Sequence, residues 1–264
     1  MVGRKLSVVW ACALLLLSAC ASDTVDKTAT MSPQAIYAEA QDDAHNFQWD
    51  KAIVLFDKLE ARAAGTPLAQ QAQLDKAYAQ YKSTESVQAI ATLDRFMKLY
   101  PASPALDYAL YLKGIINFND DLGILSSITR QNLSERDQKA AKESFEAFKE
   151  LVRRFPESRY ASDAAQRMNY IVSSLAEYEV HVARYYYKRG AYLAAINRSQ
   201  TALKEYRDVP ALEEALFIMV KSYDALGMTQ LRDDTQRVLA ASYPNSDFLL
   251  KGGRPNSDPW WKIW

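Results

Sequence analysis

Cysteine is nearly missing from this chain: Cys12 and Cys20 are the only two among 264 residues. No disulfide framework can be drawn from them, so the fold must be stable by packing. The two histidines, His45 and His181, stand far apart. Neither has a second His or Cys at ligand spacing, which excludes a zinc-type site, so metal ligands are expected to number none. Charge of one sign is missing too, with 32 basic against 32 acidic residues, a balance that gives nucleic acid nothing to bind. No G-x-S-x-G, P-loop, G-x-G-x-x-G or C-x-x-C occurs. The acidic doublets Asp42-Asp43, Asp120-Asp121 and Asp233-Asp234 diverge by about 100° on a helix and form no shared acid/base pair. The expectation is a non-enzyme with no catalytic residues and no cofactor, whose function lies in its surfaces.

Long apolar runs are absent except for one. Arg4 and Lys5 precede Leu6–Leu17, an apolar core of signal-peptide length and too short to span a bilayer. It ends in Leu17-Ser18-Ala19-Cys20, which resembles a bacterial lipobox. Residues 1–19 are then a lipoprotein signal, with Cys12 lost on cleavage and the Cys20 thiol lipidated. A plain signal with an incidental Cys is the alternative. Residues 20–31 are small and polar and read as a flexible tether, reaching at most about 35–40 Å.

Glycine and proline are few, 8 and 9, and they punctuate a pattern that otherwise reads as helix. No strand-length alternation between hairpin turns is present. Ser32-Pro33 is a helix start. Two signatures then recur. Arg189-Gly190-Ala191-Tyr192-Leu193-Ala194-Ala195-Ile196 is a helix-hairpin turn, repeated without its Gly at Asn46–Ile53 and echoed at Ser86–Ile90 and Gly227–Arg232. An aromatic-Pro-x-Ser ending recurs at Tyr100–Ser103, Phe155–Ser158 and Tyr243–Ser246, with a degenerate copy at Tyr206-Arg207-Asp208. Aligned, they give five helix pairs, at about 33–64, 68–101, 104–156, 160–207 and 211–244. This is an all-α, tetratricopeptide-like helical-hairpin solenoid over residues 32–246. Ala40, Ala52, Ala77, Ala89, Ala183 and Ala195 would let paired helices approach. Phe56, Leu93, Phe148 and Leu203 would fill the space between pairs.

Residues 117–137 break the period. Such an insertion sits on a partner-binding face or folds back over its own groove. Among the N-terminal aromatics, Trp49 is expected in the core, whereas Tyr37, Tyr78 and Tyr81 could line a peptide-binding groove. Tyr185-Tyr186-Tyr187 must turn at least one ring outward. Arg198, after Asn197, sits on the outer face or contacts a partner. The tail, residues 247–264, holds Trp260, Trp261 and Trp264. It reads either as a cap on the last helix pair, as terminal repeats require, or as a hook for a partner or lipid interface.

The lipobox, the tether and the five pairs together resemble the BamD (ComL) family, lipoproteins of the outer-membrane β-barrel assembly machinery. The most specific stretches are Asp107–Gly114, Phe148–Ser158 and Tyr178–Arg198, and the resemblance runs to about residue 246. It implies a periplasmic-face, outer-membrane protein held by its lipid, with Ala21 after the lipidated Cys fitting that sorting. It implies that the C-terminal repeats bind the POTRA region of BamA, with Arg198, Tyr185 and Asn197 as contact candidates. It also implies that the N-terminal repeats receive unfolded β-barrel precursors, and that other Bam lipoproteins bind. The alternative is a periplasmic TPR lipoprotein acting in cell-wall or division processes. The tether has no anchor other than this lipid, and each buried CH₂ contributes about 0.8 kcal/mol. Cys20→Ala is therefore expected to move the protein from the membrane to the soluble fraction of lysed cells.

Overall fold

The computed structural model describes residues 27–118 and 135–251, and each absence noted below concerns those residues. They form eleven α-helices and one 3-10 turn, with no strand. The helices are α1 Pro33–His45, α2 Trp49–Arg62, α3 Pro67–Lys82, α4 Ser86–Leu99, α5 Leu106–Asn117, α6 Glu135–Arg154, α7 Ala161–Lys188, α8 Tyr192–Glu205, α9 Ala211–Ala225, α10 Thr229–Ser242 and α11 Asp247–Lys251. The five expected pairs are α1/α2 through α9/α10, in order and within a few residues of their expected bounds. The chain divides into two compact units, residues 1–79 and 80–264, with the division falling inside α3.

Both recurring signatures prove to be backbone devices. At four hairpin turns a single residue takes a left-handed conformation: Phe47, Thr84, Gly190 and Gly227. In each, the next N–H reaches back five residues to a helix carbonyl. These bonds are Gln48 to Asp43 (2.8 Å), Glu85 to Gln80 (2.8 Å), Ala191 to Tyr186 (3.0 Å) and Met228 to Tyr223 (2.9 Å). This is the Schellman closure, which satisfies carbonyls left over at a helix end. The conformation is what repeats, so Gly can be lost where a non-Gly residue tolerates it. The aromatic-Pro-x-Ser copies likewise share one turn. Tyr100, Phe155 and Tyr243 each accept from the Ser three residues on, at 3.0 Å in all three. Pro stands between, where its fixed φ suits the turn. The Ser246 hydroxyl then accepts from Leu249 N–H inside α11 (3.4 Å). Ser32 caps α1 as expected, accepting from Ala35 N–H at 3.2 Å.

In the first unit, α1 and α2 close on Ile36, Ala40, Ala52, Leu55, Phe56 and Leu59. Lys76 of α3 is buried and pairs with Asp57 (2.6 Å) and Glu60 (2.8 Å) of α2. The last residues of the stretch expected to be a flexible tether are folded onto the first unit. Lys27–Thr30 wind a 3-10 turn, Thr28 is buried, and the Arg62 guanidinium donates to the carbonyls of Thr28 and Met31. A side chain 31 residues and more along the sequence supplies that lock, which composition could not reveal.

In the second unit each helix from α4 to α10 packs on the next, α7 also contacts α9, and α11 packs on α9, the stacking of a repeat array. Its core includes Phe148, Leu151, Ile171, Leu175 and Val180. The six alanines expected at helix contacts are all fully buried, as are Leu93 and Phe148, while Phe56 is buried in the first unit. Leu203 is half-buried, packed beside Ile196, Met219 and Tyr223. The long fourth-pair helix is α7, with 28 residues. The tightest approach joins α5 to α6. Ser144 Oγ donates to the Gly114 carbonyl at 2.8 Å. A Cβ on Gly114 would stand 2.3 Å from the Phe148 ring. Phe148 has no room to move, because Tyr111 and Phe118 lie against it at 6.1 and 6.3 Å between centroids. Gly114→Ala is therefore expected to lower unfolding free energy by about 1–3 kcal/mol through overpacking, read from urea denaturation, despite the better helix propensity of Ala.

Candidate functional site

Apart from Tyr81 and Cys20, the expected site residues fall in two places, one in each unit. On the first unit, Tyr37 comes from α1 and Tyr78 from α3. Tyr37 is half-buried and packs on Phe56 at 6.2 Å. Its hydroxyl donates to Asp75 Oδ2 (2.9 Å), and Gln41 donates to both Tyr37 Oη (3.0 Å) and Asp75 (2.8 Å). Gln71 completes the cluster at 3.0 Å from Asp75 Oδ1. Burial raises the Asp75 carboxyl above its ordinary range even against those hydrogen bonds. Burial and the neighbouring Asp75 charge push the Tyr37 phenol up to about 12. Tyr37 is thus an anchored ring with a committed hydroxyl.

Tyr78 is more open and belongs to an aromatic row. Trp49 stands between Phe47 and Tyr78, edge to face with both, at 5.8 and 6.1 Å. Such geometry suits aromatic quadrupoles. Trp49, expected in the core, is half-buried, with one side on the apolar cluster of the unit. Phe47 is the residue that sequence reasoning passed over. It is 77% exposed because it occupies the left-handed position of the α1–α2 turn. An apolar ring at the position where another repeat carries Gly was the available signal. Tyr81 lies on the last turn of α3, in the second unit, and is half-buried.

The second surface lies at the α7–α8 hairpin. Tyr185 is the outward ring of the three tyrosines, 52% exposed. It stands edge to face with Tyr186 at 5.8 Å, and the Arg189 guanidinium lies 5.3 Å over it. Tyr187 instead contacts Tyr192 at 5.7 Å. Asn197 is exposed on α8. Arg198 is exposed too, but it is committed, with Nη1 lying 3.1 Å from Oε2 of buried Glu179 on α7. One turn further along α7, Arg184 grips Glu214 of α9 bidentately, at 2.6 and 2.8 Å. Arg198 therefore has an internal role beside any role toward a partner.

A third feature was not anticipated. An open groove of about 1040 Å³ runs between α4, α5 and α6, with Asp94, Met97, Lys113, Lys142, Glu146 and Arg153 among its walls. The Lys113–Asp94 ion pair (2.6 Å) bridges α5 and α4 there. No group of three His, Cys, Asp or Glu that could hold a metal occurs among the described residues, and no described helix is long and apolar enough to cross a membrane. Cys20, the insertion between residues 118 and 135, and the Trp-rich end lie outside the described residues.

Removing Arg198 leaves the Glu179 carboxylate desolvated without its partner. Arg198→Ala is expected to cost about 1–2 kcal/mol, below the range for fully buried pairs because Arg198 faces water. In a Glu179→Gln background the same change should cost much less, a coupling that chemical denaturation of the four proteins would measure.

The family described as YfiO, outer membrane lipoprotein, matches residues 29–239. The outer membrane protein assembly factor BamD of Neisseria meningitidis serogroup A is 46% identical over 255 residues, covering 95% of this chain and 96% of that one. The protein of the same name from Neisseria gonorrhoeae is 44% identical over the same share of both chains. That of Vibrio cholerae is 34% identical, covering 86% of this chain and 94% of its own. The match thus extends through both units, including the hairpins that carry the two aromatic surfaces, and the chain belongs to the BamD family of outer membrane lipoproteins.

Proposed function

We propose that this chain is a lipid-anchored scaffold and substrate receptor in outer-membrane β-barrel assembly. The observation that carries this is the near full-length match to proteins named outer membrane protein assembly factor, at up to 46% identity. A match over 95% of the chain embraces both candidate surfaces together, so a shared working architecture is the economical account. Cys20 supplies the anchor at the periplasmic face. The C-terminal repeats bind the POTRA region of BamA, and the N-terminal repeats receive unfolded barrel precursors. Other lipoproteins of the complex share the scaffold.

The geometry supports a division of labour between these surfaces. Phe47, Trp49 and Tyr78 offer adjacent ring edges with part of their apolar area still wet, a source of affinity for an aromatic or aliphatic side chain of an extended peptide. Tyr185 and Asn197 are exposed, and Tyr185 is held in place by Arg189 rather than by the core. They test partner binding without disturbing the fold, whereas Arg198 does not, since its loss also strands Glu179.

Tyr185→Ala combined with Asn197→Ala is expected to reduce BamA recovered with the lipidated protein from detergent-solubilised envelopes, with the melting temperature unchanged. Depletion of the protein is expected to lower the amount of folded, heat-modifiable porin. Normal porin folding in depleted cells would overturn the reading.

A further inference from the structure

The last helix pair ends on a surface that its own repeat leaves uncovered. On α10 the inner face holds Leu239, fully buried, and Arg232, which reaches back to Asp224 at 2.9 Å. About 100° round the helix, on a side open to solvent and called its outer face below, stand Leu231 and Val238, 47% and 51% exposed. Seven residues apart, they lie two turns from each other on one side of the helix. Leu226 and Met228, at the α9–α10 turn, extend the exposed apolar surface at the same end. In a repeat array such a face on an internal pair would be covered by the next pair, and on the last pair something else must cover it.

The chain has more sequence to spend there. After α11 it continues for residues 252–264 and ends in Asp258-Pro259-Trp260-Trp261-Lys262-Ile263-Trp264. α11 itself is held against α9, with Phe248 5.1 Å from Phe217, so the continuation starts beside the last pair. α10 is about 21 Å long at 1.5 Å per residue. Residues 252–264 can reach about 40 Å at 3.3 Å each, enough to run its whole length. The segment is short of charge at its end and rich in large rings, the composition that a wet Leu/Val stripe lacks a partner for.

We propose that the C-terminal Trp-rich segment, Pro259–Trp264, docks in cis on the outer face of α10 and serves as the cap of the repeat array, with Leu231 and Val238 as its seat. The cap would be this chain's substitute for a polar terminal helix.

The test uses the chain from residue 20 with Cys20→Ala, in buffer without detergent, and with Trp49→Phe so that the tail carries the only indoles. Docking predicts blue-shifted emission protected from acrylamide and independent of protein concentration. Leu231→Asp with Val238→Asp should shift the emission to the red and restore quenching, and the milder Leu231→Asn with Val238→Asn should do so in part, with the helical circular dichroism of both preserved. Solvent-like emission in the parent protein would overturn the proposal. So would blue emission that neither pair of substitutions moves. Emission that shifts with concentration would place the segment on a second copy and would overturn the cis docking equally.

Discussion

Two helices can share a core only if their backbones come close, and closeness is decided by the smallest side chains at the crossing. Here Ala40, Ala52, Ala89, Ala183 and Ala195 are fully buried, and Gly114 admits Phe148 to a distance that no Cβ would permit. Everything larger is arranged around these points. Phe56, Phe96 and Phe148 are among the largest fully buried side chains, and they fill the volume that the small residues leave between helices. With only two cysteines in the sequence and no strand among the described residues, packing of this kind is the main source of stability. The turns then only have to close each helix and hand the chain to the next. A left-handed residue at four hairpins and an aromatic-Pro-x-Ser turn at three helix ends do that.

Charge is used inside the units as well as on them. Lys76 with Asp57 and Glu60, Arg184 with Glu214, and Arg198 with Glu179 each join one helix to another. A carboxylate in such a place is costly alone and tolerable when held by a guanidinium or ammonium. The consequence for function is that Arg198, exposed and basic on the hairpin of the second surface, is also a structural residue. Tyr185 is the opposite case: it is exposed and backed by a cation rather than by the core. Surfaces for partners can be built from residues of the second kind without burdening the fold.

A protein that works through binding surfaces gains specificity from where it is held as well as from what it presents. Lipidation of Cys20 would confine both surfaces near one membrane. Docking of Lys27–Met31 onto Arg62 shortens the free tether that Ala21–Met31 would otherwise provide.

Period and punctuation were legible from residues alone. The Ser32 cap and the three Pro turns act through neighbours a few positions away, and the alanines recur at a repeat spacing that a linear pattern displays. Hence the helix pairs, their bounds and the small contact positions could be named in advance. The remaining features depended on residues distant in sequence. Asp75 fixes Tyr37 across 38 residues and Gln41 across 34, and Glu179 claims Arg198 across 19. Phe47 became the most exposed ring of its row because a turn needed a left-handed residue there. The α4–α5–α6 groove exists only where three helices meet. Each outcome was settled by which side chains the packed helices bring face to face, and a linear pattern does not encode that.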